Sequence, residues 1–396
     1  MIKSGIYLDY AATTPMDKEV LELVHKTNIL EYGNPGSLHR PGRLAKKQIE
    51  KARTEIAGHL QADPNEIIFT GSGTEADNLA ILGVARAHKH HGKHIIISAI
   101  EHKAVLESAL RLKNDGFEVS YAPVDKNGIL DIAKFKKLLR PDTILVSVMY
   151  ANNEIGTIQP ICAIAKTLLS FKQKTGYPLF HTDACQTAGT LSLDVKALGI
   201  DLLTINGSKI YGPKGVGCLY LKHGINLESQ IVGGDQEWHK RAGTENVSLI
   251  VGIAKALDIA VSKQESENAR LSHLRDYFID KIQKTIPQVH LNGHPTKRLP
   301  NNINFSFAGI EGESLVLLLD QAKIYCSTGS ACSSLDLSPS HVLLAIGLTP
   351  ELAHGSLRIT LGRETTKKDM DTTIRELTKI VNHLRNISSV KIYEKK

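Results

Sequence analysis

Asp201-Leu202-Leu203-Thr204-Ile205 runs straight into Asn206-Gly207-Ser208-Lys209-Ile210-Tyr211-Gly212-Pro213-Lys214-Gly215. A short apolar run ended by a glycine-containing polar turn reads as a buried strand of a parallel sheet. Four more runs follow the same plan. Residues 66–70 lead into Gly71-Ser72-Gly73-Thr74-Glu75, and residues 94–98 into Glu101-His102-Lys103. Residues 143–150 lead into Asn152-Asn153-Glu154, and residues 178–182 into Asp183-Ala184-Cys185-Gln186. Helical periodicity fills the intervals, for example over residues 75–88 and 161–174. Alternating strand and helix predicts an α/β fold, a mainly parallel sheet between helices. Ligands of such sheets bind beyond the carboxyl ends of the strands, so the five clusters are expected to converge on one site.

Outward from that centre, a long helical pattern begins at Asn246, apolar through Val261 and strongly charged through Lys284. It reads as the connector leaving the large domain. The remainder mixes strand-like runs (303–307, 356–360) with helices (313–319, 368–384), a small α+β domain. The first fifteen or so residues are expected to pack against it. The predicted division is a large domain of residues 16–262 and a small one made of 1–15 with 263–396.

The chain's 396 residues, 42% hydrophobic and 22% charged, are ordinary for a soluble protein with two cores. No stretch approaches the ~18 apolar residues of a membrane span, and Met1-Ile2-Lys3-Ser4 opens no signal peptide. Five scattered cysteines argue against a disulfide framework and for a reducing cytoplasm. The net charge of +7 comes without a Lys/Arg run interleaved with aromatics, so it reads as solvated surface rather than a nucleic-acid site. His88-Lys89-His90-His91-Gly92-Lys93-His94 lacks acidic or cysteine partners and reads as an exposed helix end, not a metal site.

Lys209 past one buried strand, with Asp183 past the strand before it, suits pyridoxal-phosphate chemistry. The amine condenses with the cofactor's aldehyde, and the carboxylate keeps the pyridine nitrogen protonated. The lysine turn is not a phosphate-binding P-loop, because Pro213 precedes Lys214 and no Ser or Thr follows it. A buried Asp183 needs a cationic partner, and a pyridinium fits; a helix-capping role also accounts for it. Gln186 could reach the cofactor's phenolic oxygen. Gly71-Ser72-Gly73-Thr74 opening a helix is an anion cradle, or a plain turn with Thr74 as N-cap. No third glycine follows at the dinucleotide spacing. His102 is placed to stack on a planar ring and shuttle protons. Cys332, in Ser327-Thr328-Gly329-Ser330-Ala331-Cys332-Ser333-Ser334, has no apolar packing partners and reads as a nucleophile. Cys162 by contrast falls on a helical apolar face, and Cys326 with Cys332 has no second pair to complete a zinc site.

With these residues assembled, the chain resembles the NifS/IscS-type cysteine desulfurases, fold-type I pyridoxal-phosphate enzymes of the aminotransferase class V family. The resemblance runs from Tyr7-Leu8-Asp9-Tyr10-Ala11-Ala12-Thr13-Thr14-Pro15 to Leu361-Gly362-Arg363. It includes Gly33-Asn34-Pro35, Asn152-Asn153-Glu154-Ile155-Gly156, Arg241-Ala242-Gly243-Thr244-Glu245-Asn246 and Gly329-Ser330-Ala331-Cys332. By that resemblance Lys209 bonds covalently to pyridoxal 5'-phosphate, Asp183 and Gln186 hold its ring, and His102 stacks on it. Gly73, Thr74 and Ser208 hold the phosphate with Thr244 of the other subunit of a homodimer, and Asn206 joins the cofactor contacts. Asn153 and Arg358 fix cofactor and substrate carboxylate, with Asn34 on the substrate side; arginine binds a carboxylate bidentately.

The resemblance implies that L-cysteine becomes L-alanine while Cys332 takes the sulfur as a persulfide for an acceptor protein. Iron–sulfur cluster assembly and tRNA thiolation are the two outlets it offers. No resident metal is implied, although Cys332 would meet a transient iron–sulfur cluster. The chain departs from many relatives in carrying Asn206-Gly207-Ser208 where they have Ser-Gly-His, and in ending at Ile392-Tyr393-Glu394-Lys395-Lys396 without the longer tail that engages the iron–sulfur scaffold. A selenocysteine lyase or another class V enzyme is the alternative. A non-enzymatic scaffold subunit would not need Lys209, Asp183, His102 and Cys332 together.

Overall fold

The computed structural model describes residues 5–329 and 338–387. Its strands are β1 (Ile6–Tyr7), β2 (Ile67–Thr70), β3 (His94–Ser98), β4 (Glu118–Ala122), β5 (Thr143–Ser147), β6 (Leu179–Asp183), β7 (Leu202–Asn206), β8 (Gly217–Leu221), β9 (Val289–Leu291), β10 (Asn302–Phe307), β11 (Ile324–Tyr325) and β12 (Ser356–Thr360). Seven form one sheet in the order β2-β8-β7-β6-β5-β3-β4. Only β8 runs against the rest, antiparallel to both β2 and β7.

Side-chain alternation explains why this sheet is covered on both faces. Leu203 and Ile205 of β7 join Val146 and Phe180 in one apolar cluster, whereas Leu202 joins Leu145, Ile95 and Ile97 in another. Every residue of β3, β5 and β6 is buried, as expected of parallel strands packed between helices. Each fully buried Leu, Ile or Phe side chain contributes about 1.5–3 kcal/mol. The connection β3 to β4 steps one way along the sheet and β5 to β6 the other. The switch point therefore lies between β3 and β5, where a crevice opens at the carboxyl ends.

Several sequence expectations need correction. β4 and β8 belong to this sheet beyond the five strands read from sequence; β4 is a half-exposed edge strand whose polar residues blur the apolar pattern. The helix expected over 75–88 is Gly73–Asn78 and Val84–Ala87 joined by a π-helical turn, Leu79–Gly83. That wider turn buries all five of its residues. The histidine run is not wholly an exposed helix end. His94 begins β3, fully buried between Thr143 Oγ1 (2.7 Å) and Ser120 Oγ (2.9 Å). Cys162 faces solvent on the helix Ile161–Thr175, not an apolar interior.

The long pattern after Asn246 resolves into two helices, Val247–Ser262 and Gln264–Thr285. Asn246 caps the first through its side chain, which accepts from Leu249 N (3.3 Å). Ile253 and Leu257 of that helix belong to the sheet's core, while Phe278 and Ile282 of the second join a separate cluster with Phe305, Phe307, Leu357 and Leu377. This second cluster lines the antiparallel sheet β12-β10-β9. Leu8 lies in it, β1 pairs in parallel with β11, and Thr360 N donates to Leu8 O (2.7 Å). The N-terminal segment thereby crosses from the C-terminal sheet to the mouth of the crevice. Among the described residues no helix is long and apolar enough to cross a membrane.

Candidate active site

The crevice at the switch point is a cavity of about 300 Å³, the lower end of the ~300–1,000 Å³ usual for small-molecule sites. All five clusters reach it, and the segment Ala11–Ala12 and Arg358 close it from the other side. Lys209 ends a single 3-10 turn, Gly207–Lys209, that follows β7 directly. Thr14 braces that turn: its N (2.9 Å) and Oγ1 (3.0 Å) both donate to Ser208 O, and its Oγ1 accepts from Tyr211 N (2.8 Å). The Lys209 amine donates to Ala12 O.

Asp183 is the last residue of β6 and is 6% exposed. Its Oδ1 accepts from Cys185 N (2.9 Å), which fixes the turn that brings Gln186 to the cavity. Gln186 lies in a turn rather than one helical turn on, and its Nε2 donates to Ala11 O (3.0 Å). Three further carboxyls line the wall, Asp77, Glu101 and Glu154, all buried. Burial, and then the negative charge of Asp183, pushes the Asp77 carboxyl well above the usual range. Burial pushes Glu101 up to about 8, against donation from Ser98 Oγ (2.5 Å) and Met149 N (2.7 Å). Behind them His181 sits 3.6 Å from Asp77 Oδ1. Burial lowers that imidazole to about 4, so the contact is not an ion pair.

His102 follows β3 and does two jobs. Its Nδ1 accepts from Ala104 N (3.1 Å), capping the helix Lys103–Asn114, while its ring lines the cavity. Nδ1 as acceptor puts the neutral ring's proton on Nε2. Arg358 on β12 is 2% exposed; Nη2 donates to Asp9 Oδ1 (2.9 Å) and Nη1 to Asn153 O (3.2 Å). Its buried Nε makes no hydrogen bond among the described residues.

These residues fit pyridoxal 5'-phosphate. Asn206 Oδ1 and Glu101 Oε2 are buried polar atoms with no hydrogen-bond partner among the described residues. At Gly73 an added Cβ would come within 2.8 Å of Cys185 Sγ, so only glycine lets the helix start approach the cavity this closely. Ser72, not Thr74, is the N-cap, its Oγ accepting from Glu75 N (3.1 Å). Thr74 is thus relieved of capping, next to backbone N–H groups suited to an anion.

The structure gathers Lys209, Asp183, Gln186, His102, Gly73, Thr74, Asn153, Asn206, Ser208 and Arg358 around this one cavity. It does not bring Asn34 or Thr244 there. Both line a second, open cavity of about 450 Å³, and the segment bearing Thr244 is tied back by Arg241 Nε donating to Glu75 Oε1 (2.8 Å). Cys332 lies outside the described residues. Sequence reasoning gave no role to Asp77, Glu101, Glu154 or His341. Glu101 and Glu154 stand inside polar clusters quoted above and Asp77 two residues beyond one, but an acid in such a stretch reads as solvated unless its burial is known; His341 carries no local signal.

The Aminotransferase class-V family model matches residues 6–372. A "Cysteine desulfurase IscS" of Dictyoglomus turgidum is 52% identical over 390 residues, covering 98% of this chain and 98% of that protein. A "Cysteine desulfurase IscS" of Methanosarcina thermophila is 49% identical, covering 97% and 94%. A solved "NifS-like protein" superimposes with a TM-score of 0.88 at 36% identity, covering 96% of this chain and 100% of that one.

Proposed function

The chain belongs to the aminotransferase class-V family, and on that premise we propose that it is a pyridoxal-phosphate-dependent cysteine desulfurase. The observation that carries the reading is the convergence, in one cavity, of Lys209, Asp183 and the half-committed guanidinium of Arg358. The cofactor, when bound, supplies an aldehyde for an amine and a ring that accepts the electrons released at the substrate's Cα. Lys209 Nζ is the group to hold it covalently and then to take the Cα proton. Asp183 would hold the pyridine nitrogen, Gln186 the phenolic oxygen, and Thr74, Ser208 and the Gly73 backbone the phosphate. Arg358 and Asn153 orient the substrate carboxylate.

The Cys332 thiolate attacks the sulfur of L-cysteine. An S–S bond forms as the carbon–sulfur bond breaks, the electron pair stays on carbon, and protonation there yields alanine. Enzyme thiol plus L-cysteine gives enzyme persulfide plus L-alanine, so no outside oxidant is needed. The persulfide sulfur then passes to an acceptor protein.

A homodimer completes the same proposal. Asn34 and Thr244 share a cavity that Lys209 does not line; exposed Tyr32 lines it, and Ile29, Leu30 and Leu38 are exposed on the same stretch of chain, which suits a second copy. The division into residues 16–262 and 1–15 with 263–396 is likewise proposed, supported by the change of core at Lys263. Cys332→Ala tests the activity. The variant is expected to keep the visible spectral response to L-cysteine yet form neither sulfide nor alanine at a useful rate. Undiminished alanine production would remove Cys332 from the mechanism.

A further inference from the structure

One buried acid in the cavity wall has no part in the chemistry above, and both ends of the segment carrying Cys332 meet on it. Ser340 Oγ donates to Glu154 Oε2 at 2.6 Å. At Gly329 an added Cβ would fall 2.8 Å from the same oxygen and 3.7 Å from Ser340 Cβ, so the two ends lie side by side against one carboxyl. Glu154 is itself held rigidly: its N donates to Asn152 Oδ1 (2.8 Å), and its O accepts from Asn304 Nδ2 (3.1 Å). The same neighbourhood contains the groups assigned to the substrate. Asn153 is the preceding residue, and Arg358 exchanges backbone hydrogen bonds with Ser327 (3.3 and 2.7 Å) just before Gly329.

We propose that Glu154 is a positioning residue for sulfur transfer, joining the two ends of the Cys332-bearing segment at the point where Asn153 and Arg358 are anchored. The inference rests on Cys332 being the sulfur-accepting thiol. A carboxyl is suited to this work because it can accept from Ser340 while leaving room for the Gly329 backbone. Ser340 is fixed in turn, since its Oγ accepts from Leu343 N (3.3 Å) and caps the helix His341–Ala345. Burial raises the Glu154 carboxyl to about 7, opposed by the Ser340 hydroxyl and by the neighbouring Arg358, His102 and Lys103. Removing Ser340's hydroxyl or Glu154's acceptor should therefore loosen the base of the segment without touching cofactor or substrate contacts.

The test uses the cofactor-loaded protein and two readouts of one turnover. Substrate entry is followed by the visible absorbance change on mixing with L-cysteine, and persulfide on Cys332 by alkylation and mass spectrometry. Ser340→Ala and Glu154→Ala are expected to slow persulfide formation about tenfold or more, while the affinity seen in the absorbance change stays within about twofold. Glu154→Gln, which keeps an acceptor for Ser340, should recover part of the rate. Persulfide formation at the parental rate in Ser340→Ala and Glu154→Ala would overturn the proposal, as would an equal loss of both readouts. Cys332→Ala is run beside them. Alanine production in that variant would instead refute the role of Cys332, so the two failures are distinguishable.

Discussion

Replacing Arg358 by lysine should weaken L-cysteine binding without weakening binding of an amine that lacks the carboxylate. Arg358 is almost fully buried, with Nη2 on Asp9 and Nη1 on Asn153 O at 2.9 and 3.2 Å. Its planar fork can satisfy both and still present N–H groups to a third acceptor, and the buried Nε has no other partner among the described residues. An ammonium on a lysine stem has no such fork. If it stays with Asp9 the substrate carboxylate goes unpaired, and if it turns to substrate the partly buried Asp9 loses its counter-charge. Either way one hydrogen bond between charged groups is lost, about 1.5–3 kcal/mol, or a tenfold to hundredfold rise in the dissociation constant. The assay is spectral titration with L-cysteine in a Cys332→Ala background, where binding is separated from sulfur transfer. Cysteamine, the same thiol and amine without the carboxylate, is the control and should bind both proteins alike. Unchanged L-cysteine affinity in Arg358→Lys, or an equal loss for L-cysteine and cysteamine, would refute the carboxylate assignment.

Lys209→Ala should fold but retain no cofactor covalently: borohydride treatment and peptide mapping of the parent should find one modified lysine, Lys209, and a reduced adduct elsewhere would reject it. Thr244→Ala should bind pyridoxal 5'-phosphate roughly tenfold to hundredfold more weakly, and dilution that splits the dimer should release cofactor. A protein sedimenting as a monomer with its cofactor fully held would count against the shared site. Glu101 gives a pH effect of defined sign. Its folded-state value of about 8 lies above the ordinary 4.5, so it stabilises the fold most below 4.5, and that contribution disappears as pH rises through about 8. Glu101→Gln, neutral throughout, should flatten the fall in the cofactor-free protein's unfolding midpoint between about pH 5 and 8. Parallel curves for parent and variant would show that Glu101 is not the buried acid described.

The groups that lie at strand ends were legible in the chain because position along a strand fixes position in the sheet. Lys209, Asp183, His102, Asn153 and Gly73 each stand in or just beyond a short apolar run, and parallel strands deliver their carboxyl ends to one edge. Periodicity likewise revealed the two-sided sheet, since an unbroken apolar strand must be covered on both faces. It did not separate the helices on either side of Lys263, because nothing local distinguishes a bend from a continuous amphipathic pattern when each half is apolar toward a different core.

Tertiary structure alone decided which polar residues became interior. Glu101, Asp77 and Glu154 look like ordinary acids in polar clusters, yet the crevice between β3 and β5 buries all three and leaves Glu101 and Glu154 with raised affinities for a proton. Asp9 and Arg358, at opposite ends of the chain, became an ion pair only because the residues just after β1 bridge to Thr360 of β12 in the C-terminal part of the fold. The chemistry available at a strand end is written in the chain. Whether an acid is charged, and which distant base it meets, depends on desolvation and on contacts that exist only after the chain has packed.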